Sequence, residues 1–178
     1  IQYIAERALD KAFAKSNALA ATVIVMDPKT GEILALVNRP TYDLSNVDSS
    51  PIENRINRAS SLVYEPGSIF KIVAASAALE EGIFKETDKI FCENGSYTVG
   101  GHVLHDHHGH GILTFTEVIE QSSNIGVTKI AQKMGAQTWY KYAKRFRFGD
   151  KTGIDLLGEV DGWVKKPSQW SKTSISAL

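Results

Sequence analysis

A β-branched run, Ala21-Thr22-Val23-Ile24-Val25-Met26-Asp27, constrains the fold most, because a turn and a second apolar run answer it at once. Val, Ile and Thr are strand formers, and so continuous a run of them reads as a buried strand. Pro28-Lys29-Thr30-Gly31 is turn chemistry: proline sets φ and glycine accepts a positive one. Glu32 to Val37 is the return strand, so 21–37 reads as an antiparallel hairpin. Ahead of it, Ile1, Ile4, Ala5, Ala8, Leu9, Ala12 and Phe13 recur at helical steps and predict an amphipathic helix.

Beyond the hairpin, Asn38 to Arg55 reads as a long surface loop. Glu65-Pro66-Gly67 is a break, and Ser68 to Glu81 predicts a helix closed by Gly82. Lys89 to Leu104 reads as loops with a small hairpin. Thr114 and Glu117 form a capping-box pattern that opens a helix toward Gln121. Ser122-Ser123-Asn124 interrupts it, and helices follow over Ile125 to Met134 and Ala136 to Phe146. From Phe148 onward four glycines point to irregular structure.

The chain's 178 residues suffice for one domain with a real core. Ordinary hydrophobic and charged fractions, 43% and 22%, exclude disorder. Lys+Arg and Asp+Glu balance at 20 each, which argues against a whole-chain grip on nucleic acid or anionic lipid. Cys92 is the single cysteine, so no intrachain disulfide can form. The first residue, Ile1, already lies inside a helical pattern and the last three carry no cap, which reads as a segment of a longer protein.

Ser68-Ile69-Phe70-Lys71 is the only Ser-x-x-Lys here. By chance alone a chain of this length would hold about one. Its setting adds weight: residues three apart on a helix face the same way, so the Lys71 amine can reach the Ser68 hydroxyl. A serine hydroxyl becomes a good nucleophile only when a base takes its proton, and a lysine of depressed pKa can be that base. The bland alternative makes Ser68 an N-cap and Lys71 an exposed first-turn residue. Ser122-Ser123-Asn124 lies 54 residues downstream between two helices, and can present a hydroxyl and an amide to the same site. Its bland alternative is an interhelix turn in which Asn124 caps the next helix.

These two motifs in this order resemble the penicillin-binding protein transpeptidase domain, which carries Ser-x-x-Lys, a Ser-x-Asn-type loop and a Lys-Thr-Gly strand. The Met26-to-Ala35 hairpin, Asn57-Arg58-Ala59, Glu65-Pro66-Gly67, Gly111-Ile112-Leu113-Thr114 and Thr152-to-Leu156 resemble the same family. Glu65-Pro66-Gly67-Ser68 and Ser122-Ser123-Asn124-Ile125-Gly126 are similar to the monofunctional class B, septal branch. The resemblance implies an α/β (α+β) fold, penicillin-binding protein/serine β-lactamase-like, with helices around an antiparallel sheet that is incomplete here at its C-terminal side. Residues 1–178 would be the N-terminal part of that domain, with the membrane anchor, pedestal region and later strands outside the chain.

The implied activity is a peptidoglycan D,D-transpeptidase that cross-links stem peptides through a serine acyl-enzyme in septal wall synthesis, on the extracytoplasmic face of the bacterial membrane. Ser68 would be the nucleophile and Lys71 its base, while Ser122 would relay protons and Asn124 would position Lys71 and the donor peptide. Implied partners are stem peptides, β-lactams and cell-division membrane proteins, with no nucleic acid, no metal and no cofactor. Two alternatives stay open: a serine β-lactamase or β-lactam sensor of the same superfamily, and a non-catalytic interaction module. Lys151-Thr152-Gly153 has the third motif's letters but lies only 27 residues after Asn124, where the family has a different segment. The isolated segment is therefore expected to be a poor catalyst, and its hairpin edge to invite pairing with another chain.

All five histidines (His102, His105, His107, His108 and His110) fall within nine residues. A polar, glycine-flanked loop explains them better than a metal site, which needs three or four convergent ligands. Cys92 reads as structural, and Trp139, Tyr140 and Tyr142 as core and surface of one helix. Lys141, Lys144, Arg145 and Arg147 read as a solvated face.

Overall fold

The computed structural model describes residues 1–171 and 174–176. Two compact units form, one from residues 1–63 and 153–160, the other from 64–152 and the residues after 160.

In the first unit, α1 (Gln2–Ser16) precedes the hairpin of β1 (Ala21–Met26) and β2 (Ile33–Arg39). The strands pair antiparallel from Ala21 opposite Arg39 to Val25 opposite Ala35, as the sequence predicts. The turn closes through Gly31 N–H to Asp27 O (2.8 Å), with Gly31 at φ 79. Side chains alternate across a strand. Ala35 and Val37 are therefore buried with Ala5 and Leu9 of α1, and Val23 and Val25 pack partly against them. Ile24 and Met26 point the other way and are exposed, so β1 is not the buried strand its apolar run suggests: only one of its faces packs on α1 and β2. The apolar stripe expected on α1 is used only in part: Ala5 and Leu9 are buried, whereas Ile1 and Ile4 face solvent. Two 3-10 turns, Val47–Ser49 and Ile52–Arg55, interrupt the expected surface loop, and a single helical turn, α2 (Arg58–Ser61), follows it.

The second unit holds α3 (Lys71–Glu80), β3 (Lys89–Phe91), β4 (Ser96–Val99), β5 (His102–His105), β6 (Ile112–Thr114), α4 (Phe115–Glu120), α5 (Asn124–Met134) and α6 (Ala136–Arg145). Its core joins Ala74, Ala77 and Ala78 of α3 to Ile125, Ile130 and Met134 of α5 and to Trp139 and Tyr142 of α6. Alanines on α3 let α5 and α6 approach closely. The small hairpin expected in 89–104 is β4–β5, joined at Gly100 and Gly101, both with positive φ as a two-residue loop requires. The pairing of β3 with β6 is not legible from the sequence, because each strand is three residues long and the partners lie far apart in the chain. His102 and His105 belong to β5, so the loop reading of the histidine run fails for these two; their strand neighbours, Val103 and Leu104, supply its apolar positions.

Across both units the described strands form three separate two-stranded antiparallel ribbons. No described helix is long and apolar enough to cross a membrane.

Candidate active site

Ser68 does not lie in an α-helix as its spacing suggests. Gly67, at φ 60, turns the chain into a 3-10 turn over Gly67–Phe70, and the α-helix begins only at Lys71. Phe70 anchors this turn: its ring is 5% exposed and lies 4.7 Å from the Trp139 ring and 4.5 Å from that of Phe148, centroid to centroid. Ser68 is left exposed, whereas Lys71 is 7% exposed. The Ser68 side chain caps no helix.

The second motif is built by two helix ends. Helix α4 closes with Ser123 N–H on Val118 O (3.0 Å) and Ser122 N–H on Ile119 O (3.1 Å), the paired bonds of a Schellman motif. Helix α3 closes identically, with Ile83 N–H on Ala78 O and Gly82 N–H on Leu79 O. The left-handed position is Gly82 at φ 63 in one and Ser122 at φ 54 in the other. A serine there costs on the order of 1 kcal/mol that glycine would not. Helix α5 then starts at once, capped by Ser123, whose Oγ accepts the Gly126 N–H at 2.9 Å. Capping therefore falls to Ser123 and not to Asn124, and the Asn124 amide is free for other partners.

Lys71 joins the motifs. Its Nζ donates to Ser122 O (2.5 Å), Ser122 Oγ (2.9 Å) and Asn124 Oδ1 (2.7 Å). Ser122 Oγ donates in turn to Ser68 Oγ at 3.1 Å. The expected pairing of Lys71 with Ser68 thus runs through Ser122, and all four residues named from the sequence meet. Burial pulls the Lys71 amine below the usual lysine range, and the Asp106 carboxylate partly opposes that pull.

The comparisons bear on the same segment. Residues 21–178 match the model of the penicillin binding protein transpeptidase domain. The chain belongs to this family. Stage V sporulation protein D of Bacillus subtilis is 39% identical over 165 residues, covering 91% of the chain and 26% of the relative. The probable peptidoglycan D,D-transpeptidase PbpC of Pseudomonas aeruginosa is 34% identical, over 100% of the chain and 32% of its own length. Penicillin-binding protein 3 of Mycobacterium tuberculosis, solved in complex with ampicillin, superposes with a TM-score of 0.84 at 33% identity, over 98% of the chain and 39% of that structure. The chain spans about a quarter to a third of the length of these curated relatives.

Within this penicillin-binding protein segment, sequence reasoning undervalued Asp106. Its Oδ2 accepts from Ser123 Oγ (2.6 Å) and its Oδ1 from the Ile125 N–H (3.0 Å). The sequence signal is an aspartate that follows directly on the short run His102–His105. Lys151-Thr152-Gly153 lies in no strand, unlike the third motif its letters imitate. His107 Nδ1 and His108 Nε2 stand 3.2 Å apart, and no group of three or more His, Cys, Asp or Glu among the described residues could hold a metal ion. Cys92 is fully buried, and burial pushes its thiol up.

Proposed function

We propose that this chain is the N-terminal part of the transpeptidase domain of a peptidoglycan D,D-transpeptidase, with Ser68 as acyl acceptor, Lys71 as base, Ser122 as proton relay and Asn124 as the group that orients Lys71 and the donor peptide. The hydrogen-bonded line Ser68–Ser122–Lys71–Asn124 carries the reading.

With Lys71 neutral, the line can run outward to inward. Ser68 Oγ gives its proton to Ser122 Oγ, and Ser122 passes its own to the Lys71 lone pair. Hydroxyl hydrogens rotate freely, so the heavy atoms need not move. The Ser68 oxygen then bonds to the penultimate D-Ala carbonyl of a stem peptide. When the tetrahedral adduct collapses, the C–N bond breaks, the proton returns through the same line to the departing amine, and D-Ala leaves. An amine of a second stem attacks the ester and restores Ser68–OH, forming the cross-link. Burial of Lys71 suits this role, because it favours the neutral amine.

A β-lactam presents a comparable amide to the same serine, and the ampicillin complex of a relative supports β-lactam binding here. A septal setting at the outer face of the cytoplasmic membrane, beside division membrane proteins, is part of this proposal; it rests on the likeness of Glu65–Ser68 and Ser122–Gly126 to the septal branch, and a relative named for sporulation is consistent with it. Residues 1–178 alone would acylate slowly, since in the family a Lys-Thr-Gly strand supplies part of the oxyanion site and neither such triplet here, Lys29-Thr30-Gly31 in the hairpin turn or Lys151-Thr152-Gly153, lies in a strand. The test treats the complete protein with benzylpenicillin and maps the adduct by tandem mass spectrometry. A stoichiometric ester on Ser68, absent in Ser68→Ala, is expected; an unmodified protein refutes the reading.

A further inference from the structure

The turn that carries Ser122 and Asn124 is held from beneath by one dipeptide at the end of β5. Asp106 takes the Ser123 hydroxyl on one oxygen (2.6 Å) and the Ile125 N–H on the other (3.0 Å), so its carboxylate grips the residues on either side of Asn124. The preceding residue completes the grip: His105 O accepts from Asn124 Nδ2 at 3.0 Å, leaving Asn124 Oδ1 turned to Lys71. Asp106 is itself placed by its N–H on Gly95 O (3.2 Å). That strand end lies beside a backbone-on-backbone contact: a Cβ on Gly95 would sit 2.7 Å from Gly109 Cα, and one on Gly109 would sit 2.8 Å from Asn94 O.

Resting on the function proposed above, we propose that Asp106 is a positioning residue for acylation, acting through Ser123 and Ile125 to hold Ser122 and Asn124 against Lys71. The geometry has an energetic logic. Ser122 sits in a left-handed conformation that serine does not favour, and a turn under such strain keeps its shape only when its surroundings over-determine it. Ser123 is 1% exposed, so its hydroxyl must find partners inside, and it finds both Asp106 and the Gly126 N–H. The same carboxylate is the charged group that acts on the Lys71 amine, favouring its ammonium form. The Cys92 thiol, which shares Ser123 as a neighbour, is another titratable group facing it among the described residues, with the Lys129–Glu93 pair beyond.

Asp106→Asn keeps the shape and removes the charge. In the complete transpeptidase, acylation by benzylpenicillin is measured against pH and resolved into a dissociation constant and an acylation rate. In residues 1–178, the Lys71 amine is titrated by NMR on 13C- and 15N-labelled lysine. A plateau acylation rate about a hundredfold lower is expected, as for a reacting group misplaced by 1 Å, with the dissociation constant little changed. The Lys71 titration should move to lower pH, since a charge favouring the ammonium is gone. An unchanged plateau, or an unmoved titration, overturns the proposal. A loss of thermal stability alone would move neither readout. Should wild type itself resist acylation, the function reading falls, and the Lys71 titration, which needs no catalysis, decides the clamp. Should Asp106→Asn fail to fold, Ser123→Ala replaces it: the plateau should fall while the titration stays, and an unchanged plateau overturns the proposal.

Discussion

Gly126→Ala tests how tightly the turn at 122–124 is packed. A Cβ on Gly126 would lie 2.6 Å from both Cγ atoms of Val118 and 3.1 Å from Ser123 Oγ. Carbon contacts are comfortable at about 3.5–4.0 Å, so α4 and α5 must part by roughly 1 Å. Val118 cannot step aside, because it is fully buried and its branched side chain is stiff. Overpacking of this kind costs about 1–3 kcal/mol, and the helix gain of alanine over glycine returns up to about 1 kcal/mol. The net loss is therefore expected at about 0–2 kcal/mol in urea unfolding of residues 1–178. The sharper readout is a double-mutant cycle. Val118→Ala alone removes two buried methyls and should cost about 2 kcal/mol. In the double variant the new methyl fills that space, so the two changes should couple favourably by about 1–3 kcal/mol. In the complete protein, acylation should fall about a hundredfold in Gly126→Ala and recover in the double variant. Additivity within about 0.5 kcal/mol would refute the packing argument.

Other consequences are equally open to measurement. Lys71 has a folded-state pKa below its unfolded 10.5, so the unfolded chain binds more protons between those values and stability should rise with pH there. The stability of wild type relative to Lys71→Met should therefore rise toward pH 10.5; a flat difference contradicts it. Thr114→Ala removes the cap of α4 and should cost about 1 kcal/mol, shrinking as pH falls through the depressed carboxyl range of its box partner Glu117. Cys92 should react with a thiol reagent only as the second unit opens, its rate rising with urea; reaction at the speed of a free thiol would contradict its burial. Strand β1 pairs only with β2 among the described strands, so sedimentation of residues 1–178 at high concentration should show self-association, and a dispersed monomer would argue against it.

Much of this was legible in the sequence where the signal is local. The hairpin forms where the β-branched run, the Pro28–Gly31 turn and the return strand place it. The Thr114–Glu117 box formed with both reciprocal bonds. Gly82 closed α3 as a glycine does. The same reasoning could not foresee that Ser122 takes the glycine's place in α4, because a serine carries no propensity for positive φ; only the helix-end hydrogen bonds reveal it. Nor could spacing alone show that Lys71 meets Ser68 through Ser122. A three-residue step assumes an α-helix, and Gly67 makes the first turn tighter. The role of Asp106 could not be read for a different reason: its partners, Ser123 and Ile125, lie 17 and 19 residues away, beyond any periodicity.

The most direct test of the relay is acylation of the complete protein in three variants, Ser122→Ala, Ser122→Gly and Lys71→Arg, followed over the first turnover by stopped-flow with a fluorescent penicillin. If protons travel from Ser68 through Ser122 to a neutral amine, all three lose the burst, and Ser122→Gly does so although its backbone is relaxed. A full burst in Ser122→Gly would show that the hydroxyl is dispensable and that Ser68 is activated by some other path.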